Sequence, residues 1–125
     1  SNTASIASLE YAVKYLHVRV IVVLGHESCG AVESAINQAK DRLNLGTNLN
    51  DLLAHIVPAI NDPEDNNLVR ATINNAALTA ERLIAQSEIL RGYFISKELS
   101  VFDGYYHVYG DNAGKVEGID KWSCE

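Results

Sequence analysis

The chain has 125 residues, 47% of them hydrophobic, and a formal net charge of −6 at pH 7. This length predicts a single domain, residues 1–125, with its own core, and the acidic balance argues against nucleic acid as a partner. No apolar run approaches the roughly 20 residues that cross a bilayer, so we expect no membrane partner. Only two cysteines, Cys29 and Cys124, are present. This predicts a reducing compartment, the cytoplasm, or an organelle if a targeting segment has been lost.

The first elements predicted along the chain are a helix and a strand. Apolar residues at three- and four-residue spacing predict a helix over residues 4–16. Its candidate N-caps are Asn2, Thr3 and Ser5. Residues 18–24 follow as an almost wholly apolar, β-branched run. Such a run is typical of a strand buried on both faces in a parallel sheet that helices cover.

Helical patterns fill the middle of the chain, and strand patterns return near its end. We predict helices over residues 30–40, 49–60, 64–86 and 89–98. Asn48 or Asn50 is expected to cap the second of these helices, and Asn61-Asp62-Pro63 to break it. An aromatic stretch predicts a second strand over 101–109, and 115–119 is its expected hairpin return.

These elements predict an α/β fold, with a central parallel sheet flanked by helices and a C-terminal hairpin. Three strand signals are too few to surround a buried central strand among five helical segments. We therefore expect either that a partner subunit covers the sheet or that N-terminal strands are missing.

His26 and Cys29 come directly after the first strand, where open α/β sheets place their ligands. Imidazole and thiolate are the usual zinc ligands, and one tight loop can aim both at one metal. Gly30 is expected to allow the tight turn, and the helix start at Gly30 and Ala31 to favour an anion. Zinc requires three or four protein ligands, so the pair alone does not define a site. A small buried cysteine and a hydrogen-bonded turn histidine explain these residues equally well.

Other residues have structural explanations that we prefer. Cys124 is a candidate third ligand, although an exposed tail thiol is the better interpretation. His17 ends a helix, where a cation suits the dipole. His107 alternates with Tyr105 and Tyr109 on one face of the second strand, and we expect it to pack across strands rather than bind metal. Asp103 is expected to pair with a basic group, and the tyrosines over 105–109 to form an interface.

A resemblance to a known family starts at this loop. The strand followed by Gly-His-Glu-Ser-Cys-Gly-Ala-Val, residues 20–32, resembles the zinc motif of the β-class carbonic anhydrases. Other stretches resemble family elements in the same order, namely Ser8–Val13, Asn67–Arg70, Ser87–Leu90, Val101–Tyr106 and Gly114–Val116.

The resemblance implies a zinc enzyme that hydrates carbon dioxide reversibly to bicarbonate. His26 and Cys29 match two of the family's zinc ligands, and the anionic product would lie at Gly30 and Ala31. A homodimer or higher homo-oligomer is implied as well. The family's third ligand lies in an upstream Cys-x-Asp-x-Arg motif that this sequence lacks, so we identify no catalytic residue. The chain resembles the C-terminal two thirds of the family domain, truncated or divergent at its N-terminus, and we expect impaired activity.

Two alternatives come from other classes of protein. The first is a zinc-free, non-catalytic relative that acts as a binding or assembly module. The second is an unrelated small α/β domain that binds phosphate over residues 25–30, although no Walker or dinucleotide glycine pattern is present. Metal content separates the enzyme from both alternatives.

Overall fold

The computed structural model describes residues 3–62, 64 and 67–123. Its helices and strands, in chain order, are α1 (Thr3–Tyr15), β1 (Val20–His26), α2 (Gly30–Asp41), α3 (Thr47–Ala54), α4 (Leu68–Gln86), α5 (Glu88–Ile95), β2 (Ser100–Tyr106) and β3 (Val116–Lys121). Short 3₁₀ turns cover Val57–Ala59 and Gly110–Asn112. The predicted cap Asn2, the predicted breaker Pro63 and the tail thiol of Cys124 lie outside the described residues. Among the helices of the described part, none is both long enough and apolar enough to cross a membrane.

The described strands form one mixed sheet in the order β1-β2-β3. β1 and β2 run parallel, and β2 and β3 pair antiparallel as a hairpin. A parallel pair needs a long crossover connection, which helices α2 to α5 provide. The predicted α/β fold with a C-terminal hairpin is therefore confirmed.

Strand β1 is covered on one face only, so the prediction that both faces are buried is wrong for this chain. Ile21 is 6% exposed, whereas Val20, Val22 and Leu24 on the opposite face are 52%, 46% and 44% exposed. Within the described residues β1 has a single neighbour, β2, and therefore lies at an edge of the sheet. The apolar run therefore leaves one face of β1 uncovered by the described residues.

The main core lies between the covered face of the sheet and helices α1, α4 and α5. Its buried members are Val13, Ile21, Ala80, Leu83, Ile84, Leu90, Leu99 and Val101. A second cluster, centred on Val32, Ile36 and Leu53, joins α2 and α3 to the start of α4. Helix α2, which begins directly after the candidate zinc loop, is therefore held by its own buried contacts.

Pro58 explains why the helix predicted over 49–60 ends early, at Ala54. Proline lacks an N–H, and its ring clashes with the carbonyl four residues earlier, which here belongs to Ala54. The predicted caps are wrong as well, since Asn48 and Asn50 lie inside α3. The Asn50 side chain instead accepts a hydrogen bond from the Leu45 amide at 3.1 Å.

Candidate metal centre

His26 and Cys29 lie on either side of a short turn between two regular elements. His26 is the last residue of β1, at the carboxyl end of the parallel pair. Cys29 is the N-cap of α2 and makes no side-chain capping bond. It is a free thiol, half-buried against the second cluster. The predicted placement at the end of a strand and the start of a helix is confirmed.

The imidazole of His26 is oriented by the backbone. Its Nδ1 lies 3.0 Å from the carbonyl oxygen of Glu27. Because a carbonyl oxygen only accepts, this bond requires the proton on Nδ1, and a neutral ring held in this way carries its lone pair on Nε2. Histidines that bind metals hold their other ring nitrogen in this way. The His26 residue is exposed.

The turn between the two residues is made by Ser28, which has a φ of 57°. A non-glycine residue in the left-handed region is uncommon. Gly30, which we expected to allow this turn, does not have a positive φ, and a Cβ there would have nothing within 4 Å. The role assigned to Gly30 is therefore wrong, because the strained position lies two residues earlier.

Glu27 is the residue of this loop that sequence reasoning missed. One oxygen of its carboxylate, Oε1, accepts hydrogen bonds from the amides of Val108 and Tyr109 at 3.1 and 2.9 Å. Its own amide donates to the carbonyl of Tyr106 at 2.9 Å. The bonds from the Tyr109 and Val108 amides lower the pKa of the Glu27 carboxyl below its usual value. A carboxylate between two candidate ligands could have indicated a role for Glu27. Its hydrogen-bond partners, however, are more than 80 positions away in the sequence.

The described residues supply two donors of the kind that zinc prefers, an imidazole nitrogen and a thiol sulfur. Within the described ranges no group of three or more His, Cys, Asp or Glu side chains could hold a metal ion. His26 and Cys29 therefore fit zinc in kind but do not complete its coordination. Gly30 and Ala31 are the first residues of α2, where backbone amides and the helix dipole favour an anion.

His107 lies just beyond the end of β2, where its ring packs on Tyr105 of the same strand and its neighbour across the hairpin is Glu117 of β3. Its ring meets that of Tyr105 edge-on, with centroids 5.1 Å apart. Its Nε2 lies 3.1 Å from a carboxylate oxygen of Glu117, an ion-pair distance without hydrogen-bond geometry. Both residues line a cavity of about 340 Å³ with Glu27 and Asp120. Whether the tyrosines here form an interface stays a prediction.

Asp103 faces a like charge and not the basic partner that we expected. Asp103 is 6% exposed, and Asp120 lies directly across from it on β3. Burial, and then the charge of Asp120, raise the pKa of Asp103 above its usual value. Its ionised form therefore opposes folding.

Replacing Asp103 should make folding less sensitive to pH. A raised native pKa stabilises the fold below the unfolded pKa of about 3.9, and this stabilisation is lost as pH rises through the native pKa. We expect Asp103→Asn to stabilise the protein at pH 7, because it removes a buried charge and its repulsion with Asp120, by about 0.2–1 kcal/mol, the general size of a cross-strand pair interaction. Urea unfolding at pH 4.5 and 7 measures this, with Asp120→Asn as the control that relieves repulsion but not burial. A larger gain at pH 4.5 than at pH 7 would contradict it.

The chain matches known proteins in both sequence and structure. A family model described as carbonic anhydrase matches residues 1–113. Carbonic anhydrase 2 of Mycobacterium tuberculosis is 41% identical over 59 residues, which are 47% of this chain and 28% of that protein. A carbonic anhydrase of Synechococcus elongatus is 26% identical over an alignment that covers 100% of this chain and 47% of that protein. The chain thus spans less than half the length of these curated relatives.

Solved structures share the fold. A β-carbonic anhydrase of Sordaria macrospora, described as tetrameric, aligns with a TM-score of 0.73 at 20% identity, over 98% of this chain and 64% of that chain. The β-carbonic anhydrase CafA of Aspergillus fumigatus aligns with a TM-score of 0.70 at 21% identity, over 98% of this chain and 57% of that chain. Since the family model matches most of the sequence and these structures share its topology, the chain belongs to the carbonic anhydrase family and has the fold of the β class.

Proposed function

We propose that this chain carries part of the zinc centre of an enzyme that hydrates carbon dioxide reversibly to bicarbonate. The observation that carries the proposal is that one loop holds both an exposed His26, oriented through its Nδ1, and the half-buried thiol of Cys29. That loop lies at the carboxyl end of a parallel strand pair, where α/β folds bind ligands. Membership of the carbonic anhydrase family supports the same reaction.

The residues of the loop have separate roles in this proposal. His26 and Cys29 hold the metal, and a third donor comes from outside the described residues. Zinc, when bound, supplies a hydroxide near neutral pH, because it lowers the pKa of a bound water to about 7. The amides of Gly30 and Ala31 hold the anionic bicarbonate at the positive end of α2. Because the described residues supply only two of these ligands, we expect impaired activity.

A zinc-free assembly module is the second candidate function. The uncovered face of β1, with Val20, Val22 and Leu24 about half exposed, favours it, because a surface of this kind typically marks an interaction site. A homodimer or a higher homo-oligomer fits both candidates. We propose a cytoplasmic location, because two cysteines are too few for a disulfide framework and fit a reducing compartment.

Zinc content distinguishes the two candidates. We expect freshly purified protein to retain zinc at about one ion per chain, as one tetrahedral site requires. Both Cys29→Ser and His26→Ala should lower that content several-fold, since the centre then lacks one of its three protein donors. His55→Ala, which removes an exposed imidazole at the end of α3, is the matched control and should retain zinc.

Elemental analysis measures the zinc content of the four proteins. A stopped-flow assay of carbon dioxide hydration then measures their activity. Absence of zinc from the unmodified chain, even after incubation with excess zinc, would contradict a zinc centre in this chain, which would then be a fragment without its third donor or the assembly module. Equal zinc in the unmodified chain and both loop variants would place the metal elsewhere.

A further inference from the structure

Glu27 connects the candidate zinc loop to the segment that follows β2. Its carboxylate accepts the amides of Val108 and Tyr109, and its own amide donates to the carbonyl of Tyr106. These three bonds place one residue, located between His26 and Cys29, against a segment from the far end of the chain. Glu27 is only partly exposed, which is consistent with a side chain held in one place.

The conformation of the loop needs such an anchor. Ser28 adopts a left-handed φ of 57°, which costs free energy for any residue with a Cβ and persists only where the surroundings enforce it. Helix α2 fixes the loop on the side of Cys29, through the buried contacts of Val32 and Ile36. On the side of His26, the pairing of His26 with Tyr106 holds the end of the strand, and the bonds of Glu27 extend this hold into the turn.

The same residue also orients the histidine. The carbonyl of Glu27 lies 3.0 Å from Nδ1 of His26, so a displacement of the Glu27 backbone would release the imidazole. The carboxylate of Glu27 thus fixes the backbone, and its carbonyl fixes the ring. Partners that orient a metal-binding histidine commonly change metal affinity about 10- to 100-fold when they are removed.

We propose that Glu27 is a positioning residue, whose carboxylate, anchored on the Val108 and Tyr109 amides, holds the His26–Cys29 loop ready for metal. Its effect on zinc rests on the function proposed above, whereas its effect on the loop does not. Glu27 touches neither the substrate nor the reacting atoms. Its role is to keep the two donors in the relative position that the fold gives them.

Two substitutions at this position separate geometry from charge. Glu27→Ala removes the accepting oxygen, whereas Glu27→Gln keeps an acceptor and removes only the charge. Glu33→Ala, in the first turn of α2, removes one carboxylate near the same loop and serves as the charge-matched control. Thermal unfolding verifies that each variant is folded.

Three measurements report on the loop. Hydrogen exchange at the Val108 and Tyr109 amides and alkylation of Cys29 by iodoacetamide are followed on metal-free protein, with Cys29 resolved from Cys124 by peptide mass. Zinc affinity is measured by competition with a chromophoric chelator. We expect Glu27→Ala to accelerate exchange and alkylation several-fold and to weaken zinc binding about 10-fold. Glu27→Gln and Glu33→Ala should stay close to the unmodified chain.

The outcomes separate this proposal from the zinc proposal. If the unmodified chain binds no zinc, the proposed function fails, and exchange and alkylation alone decide the role of Glu27. Unchanged exchange and alkylation in Glu27→Ala would overturn that role. So would a Glu27→Gln variant as impaired as Glu27→Ala, because the charge and not the accepting oxygen would then matter. Unchanged zinc affinity in a Glu27→Ala chain whose loop is loosened would overturn the link to the metal.

Discussion

Leu90→Ala lowers the free energy of unfolding by about 2–5 kcal/mol, the range for large-to-small changes in a packed core. Leu90 is 0% exposed and belongs to the main cluster, which joins α5 to the covered face of the sheet. The loss combines the transfer energy of the removed carbons with the cavity that they leave. A small domain is commonly stable by only about 5–15 kcal/mol, so this one change removes a large part of the total.

Urea unfolding followed by fluorescence of Trp122 measures this loss. Trp122 is the single tryptophan of the chain, and its ring lies 4.8 Å from that of Phe94 on the same helix as Leu90. Ile95→Ala is the matched control, because Ile95 also lies on α5 but is 69% exposed. We expect it to change stability by no more than about 0.5 kcal/mol. Similar losses in both variants would mean that α5 does not pack as described.

The helices were predictable because their signals are local in the sequence. Ser87 shows this well: its side chain accepts the Leu90 amide at 3.1 Å and caps α5, as a serine before a glutamate indicates. Asn67 caps α4 in the same manner, through the Arg70 amide. The prediction of a helix over 49–60 was wrong for an equally local reason. Pro58 disrupts a helix, and the prediction did not take this into account.

Burial of β1 was not predictable, because it depends on neighbours that are distant in the sequence. An apolar strand indicates that something covers both faces, but it does not say whether the cover comes from the same residues. In this chain α4 lies behind Ile21, whereas Val22 and Leu24 face outward. The apolar pattern predicted the strand correctly, but it predicted burial of both faces, and the described residues bury only one.

The candidate site likewise has one part that the sequence predicts and one part that it does not. The placement of His26 and Cys29 follows from a strand, a short turn and a helix start, which are contiguous in the sequence. The anchor at Glu27 depends on amides 81 and 82 positions away, which no local pattern indicates. Backbone amides also leave no signature in residue type, so Val108 and Tyr109 could not be recognised as its partners.

Gly25→Ala should lower the free energy of unfolding by about 1–3 kcal/mol, the usual cost of overpacking. Gly25 lies in β1, directly before His26, on the face that packs against α4. A Cβ at this position would lie 2.7 Å from Cγ2 of Thr72 and 3.0 Å from the Thr72 carbonyl oxygen. The carbonyl belongs to the backbone of α4, so strand and helix have to move apart, and His26 moves with the strand.

The effect should therefore appear in two measurements, urea unfolding and retention of zinc. Gly30→Ala is the first control, because a Cβ there meets nothing within 4 Å. Gly104→Ala is the second, since its nearest atom would be a side-chain methyl of Val116 at 3.1 Å, which can shift more easily than backbone. We expect losses in the order Gly25, then Gly104, then Gly30.

A double variant identifies the contact responsible. Thr72→Ser deletes the methyl that a Cβ at position 25 would strike and keeps the hydroxyl. If this clash dominates, Gly25→Ala costs less in the Thr72→Ser background than alone, because the two positions are coupled. The same cost in both backgrounds would leave the Thr72 carbonyl as the obstacle, and the separation of β1 from α4 would then be set by backbone contact. Tolerance of Gly25→Ala equal to that of Gly30→Ala would contradict the close approach of β1 and α4 that places His26 at the edge of the sheet.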